Sequence, residues 1–115
     1  MQIKQLVINK MAQIKELTSN EFSKLISNDN LVVVDFYAEW CMPCLMMAPV
    51  FEGIAEKTKN IDFGKVNIEE SEKLAKEYNV SSIPCLIFFK SGKEVDRIIG
   101  SVSEEIIEDK INNLR

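Results

Sequence analysis

Cys41 and Cys44 are separated by two residues, and this spacing is the clearest chemical signal in the chain. The pair follows an apolar run, residues 31–37, that predicts a buried strand, and precedes residues 45–58, which predict a helix. Free backbone N–H groups and the helix dipole favour negative charge at a helix N-terminus, and therefore favour the thiolate that attacks disulfides. We predict dithiol–disulfide exchange in which Cys41 attacks and Cys44, about one turn further along, resolves the product.

The same two cysteines have other interpretations. They could be buried neighbours without chemistry, or half of a tetrahedral zinc site. Zinc would need two more ligands, and the chain offers only Cys85 and carboxylates because it has no histidine. An iron–sulfur cluster shared between two chains is a further alternative with little support. Redox exchange is favoured, and it needs no metal and no cofactor beyond the Cys41–Cys44 disulfide itself.

Asp35 has apolar neighbours on both sides within the predicted strand. We expect the strand to bury the carboxyl group and raise its pKa toward neutrality, because burial removes the hydration of the charged form. The residue lies near the carboxyl end of the strand, where open α/β sheets place their active sites. It is a candidate proton acceptor for Cys44, acting through a water molecule, and a solvated carboxylate is the alternative. Lys65 is expected either to reach toward Asp35 from the next strand or to remain on the surface.

Pro84 stands between Ile83 and Cys85 at the start of a predicted strand, where a missing N–H does not interrupt the sheet. A cis peptide bond would explain a proline at this point, although only a minority of prolines are cis. The adjoining Cys85 is most simply a small core residue. The alternative is a third redox-active thiol, open to glutathionylation or to pairing with a partner, and this would require exposure.

Composition places the chain among small globular proteins. It has 115 residues, of which 46% are hydrophobic and 28% are charged, and its net charge is −4. The basic residues are scattered, so we expect no nucleic-acid or membrane partner. The first ten residues do not resemble a secretory signal, so we expect a cytoplasmic protein.

Strands and helices alternate along the chain and predict an α/β fold with a mixed five-stranded sheet flanked by four helices, in the order βαβαβαββα. Residues 1–12 predict an N-terminal extension, and residues 13–115 predict the domain. The predicted strands are 13–17, 31–37, 61–67, 85–90 and 93–99, and the predicted helices are 18–27, 45–58, 71–78 and a last one that Ser103 caps.

Residues 35–44, DFYAEWCMPC, together with Ala48-Pro49, Lys65-Val66-Asn67, Ile83-Pro84 and Gly100, resemble the thioredoxin family. The resemblance covers roughly residues 13–115 and implies the thioredoxin fold. It implies that Cys41 is the nucleophile and Cys44 the resolving cysteine. It further implies that Asp35 is the buried acid, Lys65 its neighbour and Pro84 a cis-proline that faces the dithiol.

The resemblance also implies a surface for substrate contact and a set of partners. Members of the family pass electrons to protein disulfides and are kept reduced by a thioredoxin reductase, so we expect both as partners of a monomeric chain. The residues that match the contact surface are Trp40, Met42, Pro43, Ile83, Pro84 and Gly100.

Four residues depart from the family pattern. Met42 replaces the usual glycine and adds a flexible apolar side chain to the contact surface, and Leu45 replaces a common lysine and removes a cation from beside the dithiol. Tyr37 stands where many relatives carry a second tryptophan, and Cys85 stands where threonine is common.

Two other functions remain alternatives to a protein disulfide reductase. Thiol oxidases and isomerases of this fold usually carry histidine between the two cysteines, and this chain contains none. A non-catalytic binding module would use the contact surface while the dithiol stays idle.

Overall fold

The computed structural model describes residues 14–115, which form one mixed sheet between two layers of helices. The predicted N-terminal extension, residues 1–12, lies outside the described residues. The predicted order of elements is confirmed for the described part. Its strands are β1 (Lys15–Glu16), β2 (Val32–Tyr37), β3 (Asp62–Asn67), β4 (Cys85–Lys90) and β5 (Lys93–Ile99), and its helices are α1 (Ser19–Ile26), α2 (Met42–Lys57), α3 (Glu72–Glu77) and α4 (Glu104–Leu114).

The strand order in the sheet is β1-β3-β2-β4-β5, so β2 lies at the centre. It pairs parallel with β3 and antiparallel with β4, and β5 continues the sheet as an antiparallel hairpin. The run of apolar residues in β2 predicted this position, because a central strand is covered by helices on both faces. In the resulting register Asp35 stands opposite Lys65 of β3 and Leu86 of β4.

Two apolar layers cover the sheet. On one face, Met47 and Phe51 of α2 and Ile107 of α4 pack on Val33 and Leu86. On the other face, α1 and α3 pack on alternate residues of the same strands, and the rings of Phe22, Tyr78 and Phe89 meet edge to face. Because side chains of a strand alternate between its faces, Asp35 shares the α2 face with Val33.

Local signals explain where the helices begin. The predicted capping box of α1 is present, since the side chains of Thr18 and Glu21 each accept a hydrogen bond from the other's backbone N–H. The prediction that the second helix begins at Leu45 was wrong, because α2 begins three residues earlier, at Met42. The sulfur of Cys41 caps the helix, and Pro43 fits its first turn, where a missing N–H costs no hydrogen bond.

Replacing Gly64 with alanine should destabilise the fold without touching the cysteines. A Cβ at this position would lie 2.5 Å from Cδ1 of Leu17 and 3.2 Å from Cδ2 of Leu25. Overpacking of this kind typically costs about 1–3 kcal/mol. Urea unfolding followed by circular dichroism would measure the loss.

Gly53→Ala is the matched control. Gly53 lies within α2, and a methyl group added there would meet no side chain within 4 Å, so alanine should raise the free energy of unfolding by about 0.5–1 kcal/mol. Equal changes in the free energy of unfolding of Gly64→Ala and Gly53→Ala would contradict the close packing at Gly64.

Candidate active site

Cys41 lies at the N-terminal end of α2, and its sulfur is held by two backbone groups. The Sγ atom accepts a hydrogen bond from the Cys44 backbone N–H at 3.3 Å. The thiol also lies 3.8 Å from the carbonyl oxygen of Ile83, to which it donates. An amide donor at the positive end of a helix stabilises a thiolate, so this position suits an attacking sulfur.

Cys44 lies one turn into α2, beneath Cys41, and both cysteines are free thiols. Burial raises the pKa of Cys44 to about 12, with further contributions from hydrogen bonding to the Cys41 thiol and from the negative charge of Asp35. A thiol with so high a pKa is not a nucleophile at neutral pH. It needs a nearby group that takes its proton.

Asp35 is a buried carboxyl group whose charge acts on Cys44. The residue is 5% exposed, and its Oδ1 atom has no hydrogen-bond partner among residues 14–115. Burial raises the pKa of Asp35 to about 7, although the positive charge of Lys65 acts in the opposite direction. Burial rather than solvation is therefore the outcome at this position. A carboxyl group with a pKa near neutrality can both accept and release a proton under ordinary conditions.

Lys65 reaches toward the same region from β3. Its ammonium lies 5.8 Å from the centroid of the Tyr37 ring. Burial raises the pKa values of Asp35, Glu52 and Glu16, and the charge of Lys65 opposes this rise at each of them. Tyr37, at the position where many relatives carry a second tryptophan, donates a hydrogen bond from its hydroxyl group to Glu16. A tryptophan has no hydroxyl group to form this bond. One cation therefore acts on three carboxyl groups, which lie in β1, β2 and α2.

Sequence reasoning missed Glu52. Its Oε2 atom is buried without a hydrogen-bond partner in the described part of the chain, and burial raises the pKa of this carboxyl group against the opposing charge of Lys65. The available signal was helical spacing. Cys44, Ala48 and Glu52 follow one another at intervals of four residues and so lie in one row along α2. This row leads from Cys44 to Glu52, on which the charge of Lys65 acts.

The loop before β4 closes the site on the side opposite α2. The Ile83–Pro84 peptide bond is cis, as expected, and the Ile83 carbonyl faces the Cys41 sulfur. The carbonyl oxygen of Pro84 accepts a hydrogen bond of 2.8 Å from the N–H of Gly100, which has a φ of +95°. Trp40, Met42 and Pro43 are exposed around the dithiol. The structure thus brings together the residues expected to contact substrate.

Cys85 lies away from the dithiol, in the core layer beneath α1 and α3. It is 1% exposed, and burial raises the pKa of its thiol, although Arg97, with Nη1 4.0 Å from the sulfur, opposes the shift. The exposure that a third reactive thiol would require is absent, and Cys85 packs as a core residue.

Neither a metal cluster nor a membrane helix is found in residues 14–115. No three histidine, cysteine, aspartate or glutamate side chains converge there in a way that could hold a metal ion. No helix in that range is long and apolar enough to cross a membrane.

A thiol that caps a helix N-terminus, with a second, buried thiol one turn further along, is typical of thiol–disulfide oxidoreductases. The family model described as Thioredoxin matches residues 13–113. The chain belongs to the thioredoxin family, whose members act on protein disulfides. The predicted family and fold are both confirmed.

Individual relatives agree with this assignment. The thioredoxin of Chlamydia pneumoniae is 44% identical over 99 residues, which cover 86% of this chain and 96% of the relative. Thioredoxin-2 of Saccharomyces cerevisiae is 49% identical over 79 residues, 69% of this chain and 76% of the relative. Among solved structures, oxidised mitochondrial thioredoxin 3 of the same yeast is similar with a TM-score of 0.83 and 34% identity, covering 91% of this chain and 99% of that one.

Replacing Asp35 with asparagine should stabilise the fold, increasingly so as the pH rises. The folded chain holds the proton of Asp35 up to a pH of about 7, whereas an unfolded aspartate releases it near pH 4. Between these values the unfolded state binds fewer protons, so the free energy of unfolding falls as the pH rises. Asparagine carries no such proton, and its advantage should reach about 4 kcal/mol at pH 8 and vanish near pH 3.

Urea unfolding at several pH values would measure this difference, and Asp96→Asn supplies a control of opposite sign. Hydrogen bonding to Lys110 lowers the pKa of Asp96, so its loss should slightly destabilise the chain at neutral pH. A stability difference between the native chain and Asp35→Asn that does not change with pH would contradict the burial of an ionisable Asp35.

Proposed function

We propose that the chain works as a protein disulfide reductase whose Cys41 and Cys44 cycle between dithiol and disulfide. The observation that carries this proposal is the position of the Cys41 sulfur. It lies at the N-terminus of α2 and accepts a hydrogen bond from the Cys44 backbone N–H. In the first step the Cys41 thiolate attacks one sulfur of a partner disulfide. The partner's S–S bond breaks, its other sulfur leaves as a thiolate, and a mixed disulfide to Cys41 forms.

In the second step Cys44 attacks the Cys41 sulfur and releases the reduced partner. Cys44 first gives its proton to Asp35, through a water molecule, and the departing partner thiolate is later protonated from solvent. The pKa difference between the two groups, about 12 against about 7, would make this transfer costly in the free dithiol. Burial, the largest cause of the raised pKa of Cys44, remains in a mixed disulfide, but Cys41 can then no longer carry the negative charge that also raises this pKa. The transfer therefore becomes easier at the moment when the reaction needs it.

Lys65 and the loop at Pro84 support these two steps. The charge of Lys65 favours ionised Asp35 and so keeps the base available near neutral pH. An extended partner segment would lie against Trp40 and Ile83 and form backbone hydrogen bonds beside the cis-proline. These roles rest on placement in the structure and on the family resemblance.

The complete cycle needs a source of electrons but no bound cofactor. A thioredoxin reductase would convert the Cys41–Cys44 disulfide back to the dithiol, and proteins with accessible disulfides would consume the electrons. We place this monomeric carrier in the cytoplasm, since reducing thiol systems there keep such dithiols in their active form.

Single-cysteine variants test the order of attack. Cys41→Ser should abolish reduction of insulin disulfides, since no other thiol occupies the helix N-terminus. Cys44→Ser should retain the attack and accumulate mixed disulfides, which non-reducing gels would detect. Cys85→Ala, which removes only the core thiol, should retain turnover. Trapping by Cys41→Ser, or no trapping by Cys44→Ser, would show that the assigned order is wrong.

The reduction potential separates a reductase from the oxidase alternative. We expect a value near the roughly −270 mV of thioredoxins rather than the roughly −120 mV of a strong periplasmic oxidase. Trp40 is the only tryptophan and adjoins Cys41, so its fluorescence should follow the redox state in a dithiothreitol titration. A potential near the higher value would make the protein a disulfide donor and would reject the proposed direction.

A further inference from the structure

The helix that carries the dithiol is apolar on its outer face as well as on its inner one. From Met42 to Phe51, α2 has no charged side chain. Its inner face buries Cys44, Met47 and Phe51. Its outer face presents what we call the α2 stripe, defined as Met42, Leu45, Met46 and Pro49.

The α2 stripe is an unbroken surface. Its members occur at positions i, i+3, i+4 and i+7, so they lie side by side along the helix. Met42, Leu45 and Met46 are 65%, 52% and 63% exposed. A globular helix normally turns polar residues to water on its outer face, and a contiguous apolar patch marks a surface that meets another molecule.

The α2 stripe is continuous with the attacking sulfur. It begins at the residue after Cys41, beside the exposed ring of Trp40, and runs about 10 Å along the helix at about 1.5 Å per residue. A partner disulfide must come within bonding distance of the Cys41 sulfur. Because the sulfur lies between the loop at Pro84 and the start of α2, the surface around a bound disulfide borders both of them.

We propose that the α2 stripe selects partner proteins whose reactive disulfide is flanked by apolar side chains. This inference rests on the proposed disulfide reduction and specifies its substrate class. The stripe offers no ionic partner, so a charged group placed on it would lose hydration without compensation. The flexible side chains of Met42 and Met46 can adapt to different shapes. The stripe therefore tolerates variation in the shape of a partner but disfavours charge.

Outside the α2 stripe and Trp40, the exposed large apolar side chains of residues 14–115 are Val95, Ile99 and Ile106, and none of them lies on α2. Val95 on β5 and Ile106 on α4 are exposed singly, which is ordinary for a protein surface. Ile106, at 49% exposure, serves as a matched control for substitutions in the stripe.

The test compares three model substrates that share one disulfide. The three peptide disulfides carry leucine, glutamate or lysine residues around the cysteine. Each peptide is reduced by three proteins, which are the native chain, the Met46→Lys variant and the Ile106→Lys variant. Each rate constant, measured through Trp40 fluorescence, is divided by the rate constant for hydroxyethyl disulfide, which is too small to cover the stripe. This ratio separates docking from any change in the reactivity of the dithiol.

The native chain should favour the leucine peptide about tenfold over both charged peptides. Met46→Lys should reduce that preference about fivefold to tenfold and increase the normalised rate for the glutamate peptide but not for the lysine peptide. Ile106→Lys should leave all three ratios at the native values. Lysine and methionine have similar helix propensities, so α2 should remain folded, and Leu45→Lys is a second variant with the same expected outcome.

Equal ratios for the three peptides in the native chain, or native ratios in both Met46→Lys and Leu45→Lys, would overturn the proposal. A concentration-dependent native dimer that Met46→Lys dissociates, with unchanged peptide ratios, would also overturn it and assign the stripe to self-association. Failure of the native chain to reduce hydroxyethyl disulfide would instead count against the proposed function. The two failures are therefore distinguishable.

Discussion

The carboxyl group of Asp35 lies in the central strand, on the face covered by α2, and it is almost entirely shielded from water. Its ionisation is disfavoured there because no donor among residues 14–115 bonds to Oδ1 and only Lys65 offers an opposing charge. A core of this kind would be more stable with an apolar residue at the position. In the proposed mechanism this loss of stability yields a base whose pKa, about 7, lies where proton exchange with a thiol is useful.

Lys65 connects this base to the rest of the site. Its one positive charge acts on Asp35 in the central strand, on Glu52 in α2 and on Glu16 in β1. All three effects are electrostatic, and at each group the charge of Lys65 opposes the rise in pKa that burial causes. Lys65 therefore acts on a group of three carboxyl groups rather than on Asp35 alone. Glu52 extends this group along α2, the helix that also carries both reactive cysteines.

The parts of the site that depend on local pattern could be predicted from the sequence. The apolar residues around Asp35 indicated its burial, and the spacing of Cys41 and Cys44 indicated the helix N-terminus. Apolar periodicity alone placed the start of the helix three residues late, at Leu45, because a sulfur–amide hydrogen bond rather than an apolar side chain defines its first turn. Glu52 was missed because the charge that acts on it, Lys65, lies in β3, and only the packing of α2 on the sheet brings the helix near that strand. Interactions of this second kind become visible only in the folded chain.

The two faces of α2 divide the work of the site between them. The inner face buries Cys44 on the side of the helix that covers Asp35, so in the proposed mechanism residues there influence how fast a mixed disulfide is resolved. The outer face carries Met42, Leu45 and Met46 in water, so residues there affect which partners reach the Cys41 sulfur. Because the helix interior separates the two sets of side chains, substitutions on the outer face can alter partner choice with little effect on Asp35. A single helix can thus retain one chemical mechanism while its exposed residues adapt to different partners.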